Sequence, residues 1–146
     1  GWSHTYSDYL TFESNNGAPS FDLDADVISW HRPDGSVVRM EYNDDYYDLH
    51  ESYLLPDGTF GQFFLDGDVE HDLNGELYRY HFKGTDGVEY TFDRWKHDDD
   101  EQMESRGRLV EVKDRNGNSI HIEWDPSLDL TSETPRRISY VWSGTN

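Results

Sequence analysis

The stretch Leu109-Val110-Glu111-Val112-Lys113-Asp114-Arg115-Asn116-Gly117-Asn118-Ser119-Ile120-His121-Ile122-Glu123-Trp124 decides the fold of this chain. Leu109 to Lys113 alternates apolar with charged residues, and Ile120, Ile122 and Trp124 share one face of the run that follows. Alternation at every second residue sends neighbouring side chains to opposite faces of a strand. Between the two runs, Asn116-Gly117 is the strongest turn signal in the chain, a pair suited to the positive φ that a tight hairpin demands. Strand, turn and strand, apolar on one face and wet on the other, is the unit of an antiparallel sheet.

The same pattern recurs on both sides. Ala25 to Arg32 puts Ile28 and Trp30 on one face, and Val37 to Tyr42 sets Val38, Met40 and Tyr42 against Val37, Arg39 and Glu41. Leu77 to Phe82 sets Tyr78, Tyr80 and Phe82 against Leu77, Arg79 and His81; Val88 to Phe92 and Ile138 to Trp142 continue the alternation. Turn signals separate these runs: Pro33-Asp34-Gly35, Pro56-Asp57-Gly58, Leu73-Asn74-Gly75 and Thr85-Asp86-Gly87. Pro sets φ at one position and Gly supplies a positive φ at another. Ser14 to Ser20 reads as a loop, and the acidic stretch Asp98 to Arg106, with Met103 as its main apolar residue, as a loop with at most one helical turn. The predicted fold is all-β: a meander of antiparallel β-hairpins forming a curved or partly closed sheet, in a single domain over 1–146.

Composition agrees. The chain has 146 residues, 34% of them hydrophobic, but 15% aromatic. That length buries roughly two thirds of the unfolded surface, and acidic disordered chains are poor in aromatics. The core must therefore be built from Trp, Tyr and Phe more than from aliphatic residues. Thirty-one acids against twelve bases leave a net charge of -19, and only Lys83, Lys96 and Lys113 are lysines. This charge repels a nucleic-acid backbone or an anionic membrane. It keeps an aromatic-rich surface soluble, and it also suits a saline setting, where repulsion is screened over a Debye length of about 8 Å or less. The absence of Cys excludes disulfides. No apolar run approaches the roughly 18 residues of a membrane-spanning helix.

Leu109 to Asp125 resembles the repeat unit of the Rhs/YD-repeat family, which includes Rhs toxins, Tc-toxin cocoons and wall-associated proteins. The unit is an apolar strand, an Asp-x-x-Gly-Asn-like turn, and a strand ending in aromatic-Asp. Trp124-Asp125 takes the place of the Tyr-Asp that names the repeat, and Arg137-Ile138-Ser139-Tyr140 resembles the start of another unit. Gly1-Trp2-Ser3-His4-Thr5-Tyr6 is similar to a Gly-Trp-x-His/Asn-x-Tyr segment ahead of the repeats, and Trp30 to Ser36 to the Pro-Asp-Gly hairpin after it. Trp for Tyr at Trp124, and the acidic inserts at Asp44-Asp45 and Asp98 to Glu101, depart from the pattern. The resemblance implies a segment of a β-shell that encloses or delivers a C-terminal toxin or effector. Its partners would be the rest of its own polypeptide and that enclosed segment. It also implies a secreted or cell-surface location in a bacterium or archaeon. Asn116, Gly117, Asn118, Trp124 and Asp125 would be scaffold positions. A start at Gly1 rather than Met, and Ser143 to Asn146 standing as a turn without a return strand, point to a fragment of a longer chain that could self-associate through its sheet edges.

The residues offer few chemical constellations, and no catalytic, cofactor or metal residue is assigned. His4, His31, His50, His71, His81, His97 and His121 form no His-x-x-x-His or His-Glu-x-x-His pair, and His81 and His121 read as solvated histidines on a charged strand face. Calcium is the better metal candidate: Asp22-x-Asp24-x-Asp26 and Asp66-x-Asp68-x-Glu70-x-Asp72-x-Asn74-Gly75 space oxygens by two, but neither completes an EF-hand loop. Carboxylate pairs are too common here to point to a glycosidase. Trp2, Trp30, Trp95, Trp124 and Trp142 supply core, or a stacking platform for sugars. The expected function is a non-catalytic structural scaffold. The alternative is an extracellular carbohydrate- or surface-binding β-module, with calcium as the stabilising ion it would take.

Overall fold

The computed structural model describes residues 8–21, 25–43, 52–66, 69–72, 75–97, 103–124 and 138–143. Among them are eleven strands and no helix: β1 (Tyr9–Glu13), β2 (Val27–His31), β3 (Val37–Tyr42), β4 (Ser52–Leu54), β5 (Gly61–Leu65), β6 (Glu70–Asp72), β7 (Gly75–Gly84), β8 (Glu89–His97), β9 (Arg106–Lys113), β10 (Ser119–Trp124) and β11 (Ile138–Ser143). All pairings are antiparallel. The sheet runs β1-β2-β3-β4-β5-β7-β8-β9, and β9 pairs back to β1, which closes an eight-strand barrel. β10 and β11 continue from β9 outside the closed circuit.

Two long strands divide one edge between two partners. β7 meets β5 from Tyr80 to Gly84 and β6 from Gly75 to Leu77. β9 meets β1 through Arg106 to Arg108 and β10 through Glu111 to Lys113. Between these halves the β8–β9 register slips at Thr91/Phe92, so that Thr91 faces Glu111 while Phe92 faces Leu109. A bulge of this kind bends a strand and adds twist, which turns β9 from the barrel toward β10.

Four connections share one turn form. In 14–18, 32–36, 84–88 and 114–118, the first residue's carbonyl accepts from the glycine three places on, and its N–H donates to the carbonyl four places on. Gly17, Gly35, Gly87 and Gly117 all have φ between 85° and 88°, and among the described residues none other than glycine has positive φ. Asn116 therefore does not share the positive φ of a two-residue Asn-Gly turn. The form is a type I turn followed by a left-handed glycine bulge. Ser14 to Ala18, expected as a loop, is one of these four turns. An Asp side chain caps three of them: Asp34 Oδ1 accepts from Ser36 N at 2.8 Å, Asp86 Oδ1 from Val88 N at 3.0 Å, and Asp114 Oδ1 from both Asn116 N and Asn118 N at 2.9 Å. The Asn74 turn position and all of Asp98 to Gln102 lie outside the described residues.

The barrel is filled, mainly by aromatics. Trp30, fully buried on β2, meets Phe82 (ring centroids 4.9 Å apart), Tyr90 (5.1 Å) and Phe92 (5.8 Å) from β7 and β8. Tyr80 packs on Phe12 and Phe63, and Phe63 on Tyr53. Met40, Ile28, Leu10 and Leu109 fill between them. Burying a side chain of this size stabilises by about 1.5–3 kcal/mol. The inward positions of β2, β3, β7, β8 and β10 match the predicted faces.

Of the buried polar side chains among the described residues, Asp8 and Arg94 are the two that are at most 1% exposed. Trp30 Nε1 donates to Asp8 Oδ2 at 2.7 Å, and burial pushes the Asp8 carboxyl up, against that hydrogen bond and the charge of Arg32. Arg94 takes the inward position after Phe92 on β8 and is fully buried. Its guanidinium lies 3.5 Å from the Phe12 ring centroid, and it donates from Nε to Glu104 O (2.8 Å) and from Nη2 to Ser20 O (3.1 Å). These bonds tie the segments before β2 and β9 to the β8 wall.

Close backbone approach explains Gly61, at φ 148°, where an added Cβ would lie 2.3 Å from Lys83 O. Gly61→Ala should lower stability by about 2 kcal/mol or more, read as the urea midpoint of the variant. Gly117→Val should cost about 1–3 kcal/mol, because a β-branched residue is strained at positive φ. An unchanged midpoint for the latter would remove the turn assigned to Asp114–Asn118.

Candidate functional site

The outward side chains of β7 to β10 form one polar groove. Register sets the rows. His81, Thr91, Glu111 and His121 stand side by side across the four strands, because His81 faces Thr91, Thr91 faces Glu111, and Glu111 faces His121. Arg79 and Asp93 make the row on one side, and Lys83, Glu89 and Lys113 the row on the other. β10 departs from the barrel at this point, so the outer face is concave, with a volume of about 640 Å³. Four carboxylates (Asp66, Glu89, Asp93, Glu111) and two permanent cations (Arg79, Lys113) line it.

His81 is the centre of this groove. Its Nε2 is 3.0 Å from Asp66 Oδ2, and its Nδ1 is 3.2 Å from Thr91 Oγ1 and 3.3 Å from Glu89 Oε1. Phe64 stacks on its ring at 5.3 Å. Its side chain is 13% exposed, so the solvated reading of His81 is corrected: a partner carboxylate from the β5–β6 connection and a neighbouring ring enclose it. Asp66 also continues the β7 ladder, its N–H donating to Arg79 O at 2.8 Å. The imidazole thereby pins that connection to the barrel wall. His121, 45% exposed and 3.3 Å from Glu111 Oε2, keeps the solvated character expected of it.

The line Thr91–His81–Asp66 has the order hydroxyl, imidazole, carboxylate. Thr91 is 8% exposed, and Glu89 competes for the ring nitrogen that faces the hydroxyl. The arrangement can hold a polar or cationic group against four carboxylates.

Asp93 carries a perturbed carboxyl on the groove wall. Its Oδ1 is buried without a hydrogen-bond partner, and Arg79 Nε is 3.4 Å away. Burial pushes its pKa up to about 6, against the opposing charge of Arg79. Arg79 is held elsewhere, by a two-pronged pair to Glu70 at 2.7 Å and 3.1 Å.

The other residues singled out in the sequence are dispersed. His31 stacks on Tyr9 at 4.4 Å on another part of the barrel, and burial lowers its pKa. His71 and His97 stand at register positions in β6 and β8, opposite Glu76 and Gly75. His4, His50, Asp22, Asp24, Asp68, Asn74, Trp2 and Asp125 lie outside the described residues. Asp66 and Glu70 turn to His81 and Arg79 rather than to a common centre, and Asp26 accepts from Asn15 N at 3.1 Å. Among the described residues, no group of three or more His, Asp or Glu converges as a metal site. Trp30 is core, Trp95 is half-buried, and Trp124 and Trp142 are placed by backbone register in β10 and β11, opposite Ile138 and Ile120. Asp93 and Arg94 went unremarked in the sequence, although Arg94 stands two residues after Phe92, where the alternation calls for an apolar side chain.

The raised pKa of Asp93 gives a signed prediction. In the folded state its neutral form is favoured, so ionisation destabilises the fold above about pH 6, and the penalty is relieved as pH falls toward the unfolded value of 3.8. Asp93→Asn should therefore raise stability at pH 7.5 by about 1–3 kcal/mol, and the gain should vanish below the unfolded pKa. Urea melts at both pH values measure it. A loss at pH 7.5 would mean that the pairing with Arg79 outweighs desolvation.

The chain matches no protein-family model, no curated protein and no solved structure.

Proposed function

We propose that this chain is a non-catalytic β-scaffold, part of the wall of an Rhs/YD-repeat-type shell that encloses or delivers a toxin or effector segment of the same polypeptide, secreted or at the cell surface. The observation that carries this reading is the divided edge of β9. One half closes a filled barrel, and the other half begins a second ladder made of the repeat-like unit, Leu109 to Trp124, and β11. Among the described strands, β11 pairs with β10 alone. A wall that grows by adding hairpins edge to edge needs a rigid start and an edge with free backbone groups. The high acidity fits a protein partner rather than nucleic acid.

The test is the whole open reading frame that carries these residues, expressed and imaged. Further Asn-Gly hairpins ending in aromatic-Asp, and a hollow particle protecting its C-terminal segment from protease, are the expected results. A frame without such repeats overturns the reading. In the isolated chain, amide exchange should be fastest along β11 and slowest across the β7–β8 pair, since opening follows local pairing and burial. Equal protection of β11 and β8 would remove the open edge.

A second reading, an extracellular carbohydrate- or surface-binding module, draws on Phe60, which is 71% exposed ahead of β5. It predicts a glycan-array signal that Phe60→Ala abolishes. Its calcium-stabilised form predicts a melting temperature raised by calcium and restored by chelator.

A further inference from the structure

Two Asn-Gly pairs lie in described turns of the same form, yet their surroundings differ at the atoms that matter for Asn chemistry. In the turn after β1, Asn16 Oδ1 accepts from Ser14 Oγ at 2.5 Å and from Ala18 N at 3.0 Å. The Ser14 hydroxyl also lies 3.2 Å from Ala18 O, but its contact with Asn16 is the shorter. In the β9–β10 turn, Asp114 stands where Ser14 stands in the first. Its Oδ1 accepts from Asn116 N and Asn118 N and its Oδ2 from Asn118 Nδ2 at 3.2 Å, so the carboxylate lies beside the Gly117 N–H, which itself donates to the Asp114 carbonyl at 3.1 Å. The Asn116 side chain is exposed and makes no hydrogen bond to the described residues.

We propose that Asn16 is a site of self-modification, where the turn promotes succinimide formation and loss of the side-chain amide, while Asp114 holds the equivalent reaction at Asn116 back. The Gly17 nitrogen attacks Asn16 Cγ, forming a C–N bond and placing negative charge on Oδ1. The C–Nδ2 bond then breaks, and ammonia leaves with the proton that the Gly17 nitrogen gives up. Water adds to either carbonyl of the ring, giving aspartate or isoaspartate. No oxidant or second reactant besides water is needed.

Geometry separates the two sites at both steps. Donors aimed at the oxygen where charge develops stabilise a tetrahedral intermediate, and Asn16 Oδ1 has two of them in place. Attack also needs the glycine N–H to give up its proton, and a nearby negative charge opposes ionisation to an anion. Asp114 places such a charge before Gly117. At Gly17 the N–H meets only the Ser14 carbonyl, at 2.9 Å, and the nearest described carboxylate contact, from Asp26, falls on Asn15. Isoaspartate at position 16 would add a methylene to the backbone directly after β1, the strand that closes the barrel.

The test is peptide mapping of the folded chain incubated at mildly alkaline pH in heavy-oxygen water, which labels each conversion. Asn16 should convert roughly threefold to tenfold faster than Asn116, the value of about one hydrogen bond. Ser14→Ala should slow Asn16, whereas a role in merely tightening the turn predicts that this variant speeds it. The exchange Ser14→Asp with Asp114→Ser should reverse the order of the two sites. In urea the rates should converge. Equal rates in the folded chain, an order that survives unfolding, or acceleration by Ser14→Ala would each overturn the proposal.

Discussion

Tyr9 with Arg108, Leu10 with Gly107, and Thr11 with Arg106 are the three pairs that join the first described strand to β9. Without them β1 and half of β9 would be open edges, and Trp30 on β2 would lose the opposite wall that β7 and β8 place against it. The joint depends on a close approach. A Cβ at Gly107 would come within 3.1 Å of the Leu10 side chain, so the missing side chain lets fully buried Leu10 seat over β9. Arg106 adds a lid, its guanidinium 4.3 Å from the ring of Tyr9, which in turn stacks on His31.

Closure also accounts for the shape of the outer face. Since β9 spends its first half on β1, only its second half is left for β10, and the bulge at Val110 lets one strand serve both. The sheet therefore bends away from the barrel where His81, Thr91, Glu111 and His121 line up. The groove is a by-product of one strand holding two ladders. Its buried carboxyl at Asp93 is tolerated because Arg79 faces it across the β7–β8 ladder and because the remaining polar groups pair with one another.

Much of the β architecture was legible. Seven of the strands and four of the turn glycines, Gly35, Gly58, Gly87 and Gly117, follow from alternation and from Asp or Asn before Gly. β1 carries a readable alternation, with Leu10 and Phe12 inward, whereas β4 and β5 are hidden for local reasons. β4 has three residues, too few to show a period. In β5, Phe63-Phe64-Leu65 is apolar throughout, because Phe64 covers His81 on the outer face while Phe63 and Leu65 face the core. Ser14 to Ala18 has the polar composition of any loop, and the Asn-Gly pair it shares with the Asp114 turn stands without a strongly alternating run on its far side. The groove was legible only as scattered polar positions, since rows across four strands depend on register and on a bulge.

Sequence by itself determined the all-β class, the inward faces, the aromatic core and the hairpin turns, because each of these is a matter of residues within a few positions of one another. Tertiary structure alone decided that β1 returns to β9, that His81 is enclosed rather than solvated, and that Arg94 belongs inside. Those outcomes rest on pairings between distant segments, whose loop-closure cost is repaid only when the whole aromatic core assembles at once. No local pattern of residues encodes that balance.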